Sequence, residues 1–288
     1  MNAGTDNIWI DFLRRLWGNK AAVAGLTVFL IVCLACAMAP LLTTWDYAGI
    51  DIEHIKEAPS RAHLFGTDYL GRDVFTRMLY GGRLTLRIAF LSTALATVVG
   101  GMIGLVAGYF GGRVDMALSP VLDIVASIPV ILLVIVTEAV FDRGRGYFMY
   151  AMAIAAMPQF ARLVRATVLQ VMGREYIEAA RALGAGHAGI LFRHVLHNTV
   201  SPLIIRFTGG FAEALLTCTI VGYLGIGINP PTPEWGVIVY NVKDQMRNSP
   251  QTMIIPCVVI AACVISIGLF GDGLRDALDP KGEKSFEP

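Results

Sequence analysis

Apolar blocks long enough to cross a bilayer alternate with polar stretches along most of this chain, and that alternation sets its element plan. A crossing helix takes roughly 20 residues. The first block runs from about Ala21 to Leu42 behind Arg14, Arg15 and Lys20, the second from Leu84 to Phe110 and the third from Met116 to Val140. The fourth covers Tyr147 to Leu169, the fifth Thr199 to Leu224 and the sixth Met253 to Phe270. Six crossings predict an all-α polytopic membrane protein with both termini on one side. The first block opens as a signal peptide does, and Ala35-Cys36-Ala37 offers small-residue cleavage positions. Its apolar run exceeds the roughly 7 to 15 residues of a signal h-region, which predicts a retained helix.

The polar stretches divide the chain into an N-terminus and first crossing over 1–43, a long polar segment over 44–82, a five-helix core over 83–273 and a tail over 274–288. Inside the core lie a polar island at 174–198 and a stretch at 225–250 that is too polar to span. Pro230, Pro231 and Pro233 forbid a continuous helix in that stretch, so it is expected to fold back over one mouth, with Trp235 and Tyr240 at the interface. Gly100, Gly104, Gly108 and Gly112 recur every four residues in and just beyond the second block, a helix face against which a neighbouring backbone can lie closely.

Composition sharpens this picture. The 288 residues are 55% hydrophobic and 16% charged, against about 25% charged in soluble domains. A net charge of +1 supplies no basic face for nucleic acid. Cys33, Cys36, Cys218, Cys257 and Cys263 all fall in apolar blocks and read as small hydrophobes. Lys and Arg divide twelve to ten between the side bearing the termini and the other side, which leaves the orientation open.

The island is the most informative segment. Glu175 to Leu183 is rich in good helix formers, and Gly184 can supply the left-handed residue that ends a helix. Ile177, Ala180 and Gly184 share a face, and a second short helix over Ala188 to Leu196 would present Ile190, Leu191 and Val195. Two stubby helices at nearly right angles make a knob suited to a protein groove; from spacing alone, an ordinary aqueous loop serves equally well. Gly184-Ala185-Gly186-His187-Ala188-Gly189 satisfies G-x-G-x-x-G, but a dinucleotide site would need a βαβ unit around it. No G-x-x-x-x-G-K-[ST], G-x-S-x-G or H-E-x-x-H occurs, so the chain is not expected to bind ATP through a P-loop or to be an enzyme. His194 and His197 are three apart, with no third metal ligand suggested nearby, and read as structural or surface residues, as do His54 and His63.

Ionisable residues inside apolar blocks are functional candidates. Asp123 and Arg206 each lie roughly 10 Å inward from the island side of their helices, so they could pair, or Arg206 could snorkel to the interface. Glu213 is deeper and is a candidate to line a substrate path or to contact a neighbouring helix.

Several motifs together resemble one family. Glu178-Ala179-Ala180, Gly184 and His194 to Asn198 are similar to the coupling loop of permease subunits of bacterial ATP-binding-cassette importers. His63-Leu64-Phe65-Gly66-Thr67-Asp68-Tyr69-Leu70-Gly71-Arg72-Asp73-Val74 and Tyr80-Gly81-Gly82-Arg83 resemble the amino-terminal signature of the C-type permeases for dipeptides, oligopeptides and nickel. Leu224 to Gly227, Pro230 to Gly236 and Gly271 to Pro280 resemble the same subfamily. The family usually places proline before the closing asparagine, where this chain has His197.

The resemblance implies the type I importer permease fold in a bacterial inner membrane, with both termini and the island cytoplasmic. It implies that Glu178, Ala179, Ala180, Gly184, His194 and Asn198 couple to an ATPase subunit. It further implies a homologous B-type second permease, two ATPases carrying ATP and Mg, and an external binding protein, with no cofactor or metal on this chain. The binding protein is expected to dock over 44–82 and 225–250, with Asp68, Arg72, Asp73 and Trp235 as candidates. Dipeptides, longer peptides, glutathione, opines, haem and nickel are all cargo of this subfamily. A membrane-embedded hydrolase using the two histidines and a channel are the rival classes, and co-purifying ATPase subunits would separate the transporter from both.

Overall fold

In the computed structural model, which describes residues 8–141 and 146–278 with the side chains of 8–11 left aside, the chain is helical. The only β feature among the described residues is an isolated bridge between Thr67 and Asp73. Helix α1 spans Ile8–Gly18, α2 Lys20–Ala37 and the short α3 Ala39–Leu42, where Pro40 follows the break at Met38. Asn19 caps α2, its side-chain oxygen accepting from the backbone N–H of Ala22.

Helix α4 spans Val74–Phe110. Its 37 residues make about 55 Å, well beyond a bilayer core of about 30 Å. It therefore starts ten residues before the expected Leu84, and the reason is local. Asp73 caps its first turn by accepting from the N–H of Thr76 at 2.7 Å, and the polar side chains of this first part are buried by the preceding loop instead of facing water. The loop accordingly occupies only 43–73.

The third expected crossing is broken. Helices α5 (Gly112–Ser127) and α6 (Val130–Val140) meet at 86° around Ile128 and Pro129. Proline forces Ile128 into extended backbone, φ −89° and ψ 121°, so the helix cannot continue through it. Helix α7 (Phe148–Met172) follows as the expected fourth crossing. At 25 residues, about 37 Å, it is long enough to span, although Gln159, Arg162 and Arg165 make it less apolar than the others.

The island yields one short helix, α8 (Glu175–Ala182). The second expected stub does not stand alone. One turn, α9 (His187–Gly189), runs through a π-helical stretch over Ile190–Val195 straight into α10 (Leu196–Tyr223), an uninterrupted 37-residue rod. Ile190 and Val195 are buried against α7 where exposure was expected. Helix α11 (Trp235–Val242) lies in the 225–250 stretch, and α12 (Pro250–Leu278) includes the Gly271 to Asp276 segment expected to follow it. Asp279 and Pro280 of the terminal motif, like Arg143 and Arg145, lie outside the described residues.

Among the described residues four helices are long and apolar enough to cross a membrane, α2, α4, the α9–α10 rod and α12, or five if the bent α5–α6 pair is one span, against the six expected. Helix α7, long enough but less apolar, is not among them. Helix α4 is the axis, packed along α7, α10 and α2. The glycine face explains the closeness of α4 and α7. A methyl on Gly100 would sit 2.5 Å from the carbonyl oxygen of Met157, one on Gly104 would overlap the Ala161 carbonyl, and one on Gly108 would meet Val168 at 2.9 Å. Gly112 leaves this face, because at φ +48° it opens α5.

Candidate functional site

Helix α8 is too short to be stable by itself and has no side-chain N-cap, so its orientation depends on what it touches. The anchor is Ile177, fully buried with Val164, Val168 and Val171 of α7 and with Ile190 and Val195. Its C-terminal end is closed by Gly184 at φ +86°. The N–H of Ala185 donates to the Ala180 carbonyl and that of Gly184 to the Arg181 carbonyl, a Schellman cap as the sequence predicts. Glu175 and Glu178 in the first turn and Arg181 in the last complement the helix dipole.

The rest of α8 faces outward. Glu178 and Ala179 are exposed, Ala180 is half-buried and Leu183 is 89% exposed. Beyond the hairpin, Phe192 is 66% exposed. The His194 ring lies tilted at 5.9 Å from that of Tyr176, and its carbonyl accepts from the Asn198 side chain at 2.6 Å, so these residues brace the knob from below. His197 is exposed, and among the described residues no group of three metal-ligating side chains occurs.

Two further braces were not read from the sequence. The Tyr109 hydroxyl at the end of α4 bonds His187 Nδ1 at 2.8 Å. Asp115 of α5 accepts two bonds from the Arg165 guanidinium of α7, both at 2.5 Å. The knob thus rests on the adjoining ends of α4, α5, α7 and α10. An acid one turn into α5 facing a run of arginines in α7 is the only trace of this in the sequence.

The membrane-embedded charges pair differently from expectation. Asp123 is held by Arg162 of α7 at 2.7 Å, not by Arg206. Arg206 instead reaches Glu213, two turns along its own helix, at 3.1 Å, and lies over the Phe160 ring. Glu213 remains 61% exposed at the mouth of a small cavity of about 110 Å³ shared with Ser92, Thr93, Gln159, Gly210 and Thr217. With Arg206 and Thr217 it makes a polar strip on this face of α10.

At the opposite end of the molecule, the four candidate docking residues are interior. Asp68, Arg72, Asp73 and Trp235 are 1%, 2%, 4% and 0% exposed. Asp68 accepts from Arg72 Nε at 2.7 Å and from the backbone N–H of Leu70 and Arg72, while Asp73 caps α4 and bonds His63 at 3.0 Å. This motif is a clamp on the start of α4. Trp235 donates its ring N–H to the Met78 carbonyl at 2.9 Å and lies on Gly82, where a methyl would meet the ring at 2.9 Å. It locks α11 onto α4 and does not sit at an interface. The sequence reading also missed Glu234, fully buried, which caps α11 through the N–H of Val237 and accepts from the Thr85 hydroxyl at 3.1 Å. Burial pushes its carboxyl up to about 7.

Comparison with known proteins gives this architecture its family. A family model described as binding-protein-dependent transport system inner membrane component matches residues 100–284, and one described as the N-terminal TM domain of oligopeptide transport permease C matches 7–59. The chain belongs to the binding-protein-dependent permeases. The dipeptide transport system permease protein DppC of Alkalihalophilus pseudofirmus is 39% identical over 273 residues, covering 95% of this permease and 90% of that one. The glutathione transport system permease protein GsiD of Pectobacterium atrosepticum is 38% identical, covering 95% and 91%. The oligopeptide transport system permease protein OppC of Bacillus subtilis is 32% identical, covering 96% and 91%. Among solved structures, an inward-facing form of the MetNI methionine ABC transporter superposes with a TM-score of 0.57 at 22% identity, covering 70% of this permease and 97% of that chain. The fold is that of type I ABC importer permeases. This permease is thus a non-catalytic, multi-pass membrane subunit of an ATP-driven importer.

Proposed function

We propose that this permease carries di- or oligopeptides and that α8 is its coupling element. The observation that carries this reading is the construction of the knob: a short helix seated by one buried isoleucine, closed by a left-handed glycine, with Glu178, Ala179 and Leu183 turned away from the protein. An ATPase subunit takes that outward face into its cleft. The island and both termini are then cytoplasmic. The loop over 43–73 lies outside, where Ile50, Ile52 and Leu64, at 63%, 77% and 55% exposed, present apolar surface to a binding protein in place of the buried candidates.

A homologous second permease faces the α10 surface bearing Arg206 and Glu213, and the cargo passes between the two. Asp123, held by Arg162 and still two-thirds exposed, flanks the cytoplasmic part of that path. ATP-driven closure of the two ATPases, which hold ATP and Mg, brings the coupling knobs together. Because α8 is bolted to α7 and to the α9–α10 rod, its displacement turns both helices and opens the path to the outside. Reopening inward on hydrolysis releases the cargo. Relatives named for dipeptides and oligopeptides, at 39% and 32% identity, support peptide cargo, and those named for glutathione, at 38% and 34%, make glutathione the alternative.

The test is uptake by the reconstituted complex of labelled dipeptide, oligopeptide, glutathione and nickel, with ATP hydrolysis followed in parallel. Peptide uptake that consumes ATP and is lost with Glu178→Ala supports the reading. Uptake of glutathione or nickel alone refutes the cargo, and peptide flux without ATP refutes the coupling.

A further inference from the structure

A groove of about 830 Å³ lies between α2, α4, α10 and α12, away from the α10 face that carries Glu213, and its walls include Phe29, Phe90, Leu203, Phe207 and Phe270. Its two hydroxyls are already engaged: Thr97 donates to the Thr93 carbonyl at 2.7 Å and Thr208 to the Ile205 carbonyl at 2.8 Å. The groove therefore offers no polar group to an occupant along its length. A peptide could not lie there, because its backbone would have no partners in an apolar, water-free trough.

One end is different. Arg87 lines the groove and also the smaller cavity beyond it, beside Arg83 and Tyr80. It is exposed and makes no hydrogen bond, ion pair or ring contact among the described residues. Its height is fixed by Arg83, which donates to the Cys36 and Ala37 carbonyls at the very end of α2. Arg87 lies one helical turn, about 6 Å, inside that level. A cation at this depth without a protein counter-charge is costly unless an anion meets it, and its stem is long enough to reach the headgroup region.

We propose that this groove is a binding site for an anionic membrane phospholipid, with an acyl chain along the Phe-lined trough and the phosphate on the Arg87 guanidinium, seconded by Arg83. A lipid supplies both features at once: an apolar chain with nothing to hydrogen-bond, and an anion at the end of that chain. Along α4 the trough runs from Leu86 to Thr97, about 16 Å, a span that ends well inside one bilayer core. The lipid belongs to the leaflet on the side of the 43–73 loop, and the site stands whichever way the chain is oriented and whatever it carries.

The test uses the complete transporter complex in nanodiscs containing phosphatidylglycerol, released into mild detergent and examined by native mass spectrometry. One phosphatidylglycerol should remain per copy of this chain in the wild type and in Arg87→Lys. Arg87→Gln should retain it about five-fold less well, as expected for about 1 kcal/mol per basic residue at a membrane surface. Leu203→Trp, which fills the trough, should lose it. Arg87→Gln removes an exposed, unpaired side chain, so intact complex mass serves as its folding control. Equal retention in all four proteins, or none in the wild type, overturns the site. So does a high-yield cross-link from Ile204→Cys to the second permease, which would put a protein helix in the groove.

Discussion

Removing the anchor of α8 should disconnect transport from ATP hydrolysis without disturbing the membrane bundle. Ile177 is fully buried and is the only buried residue of an eight-residue helix. Truncation of a buried isoleucine to alanine costs about 2 to 5 kcal/mol, and here the cost falls on the docking of α8, because the helix is too short to persist undocked. The ratio of seated to unseated knob should fall by about 30-fold at the low end and by several thousand-fold at the high end. Ile177→Val, which removes one methyl, costs about 0.5 to 1.5 kcal/mol and should leave most knobs seated. In proteoliposomes with binding protein and cargo, Ile177→Ala should lower cargo transported per ATP severely and Ile177→Val only slightly, while both assemble with the second permease. Full stoichiometry in Ile177→Ala would refute the reasoning, since force could then not be passing through this seat.

Gly184→Val should also uncouple, but more mildly, because open space surrounds the position and the penalty is the left-handed backbone alone, about 1 to 2 kcal/mol; Gly184→Asn, which tolerates that conformation, should recover cargo per ATP in the same assay. Gly104→Leu drives a side chain into the Ala161 carbonyl and should destabilise the purified complex by at least about 1 to 3 kcal/mol, as is typical of overpacking, read as a lower melting temperature. Trp235→Ala should cost about 3 to 5 kcal/mol in thermal unfolding, read by the loss of α11 protection in hydrogen exchange, since the side chain is interior and not at a docking surface. The Glu234 carboxyl, held up near 7 by burial in the segment between α10 and α12, has a folded value above its ordinary one. Its stabilising contribution is therefore complete below the ordinary carboxylate range and is lost as pH rises to about 7, so melting temperature should drop between about pH 4.5 and pH 7 and level off above, and Glu234→Gln should flatten that drop.

The elements that the sequence disclosed are those governed by local rules. Apolar length announces α2, α4, α10 and α12, and the Gly184 cap follows from helix formers ending on a residue that accepts φ +86°. The Gly100, Gly104 and Gly108 face was legible because period four on a helix needs no partner to be recognised. What escaped depends on distant neighbours. The first turns of α4 look exposed because Thr76 and Arg77 are polar, yet the 43–73 loop buries them. The Asp68 to Asp73 motif reads as surface charge until Arg72 and the α4 N-terminus are seen to satisfy it internally. Depth along the helices allows Asp123 to meet Arg206 but does not require it, whereas the rotation of α7 decides the pairing and brings Arg162 to the acid. The π-helical run that fuses the second stub into α10 has no local signature beyond the proline missing at His197.

The central claim is that an ATPase subunit grips the outward face of α8. The Ala179→Cys variant, with its new thiol exposed beside Glu178, should form a high-yield cross-link to the ATPase subunit in the assembled complex, and the yield should change between nucleotide-free and ATP-trapped states. Absence of that cross-link while cysteines elsewhere in the complex react, or modification of the introduced thiol by a membrane-impermeant reagent applied only from outside the cell, would contradict the account.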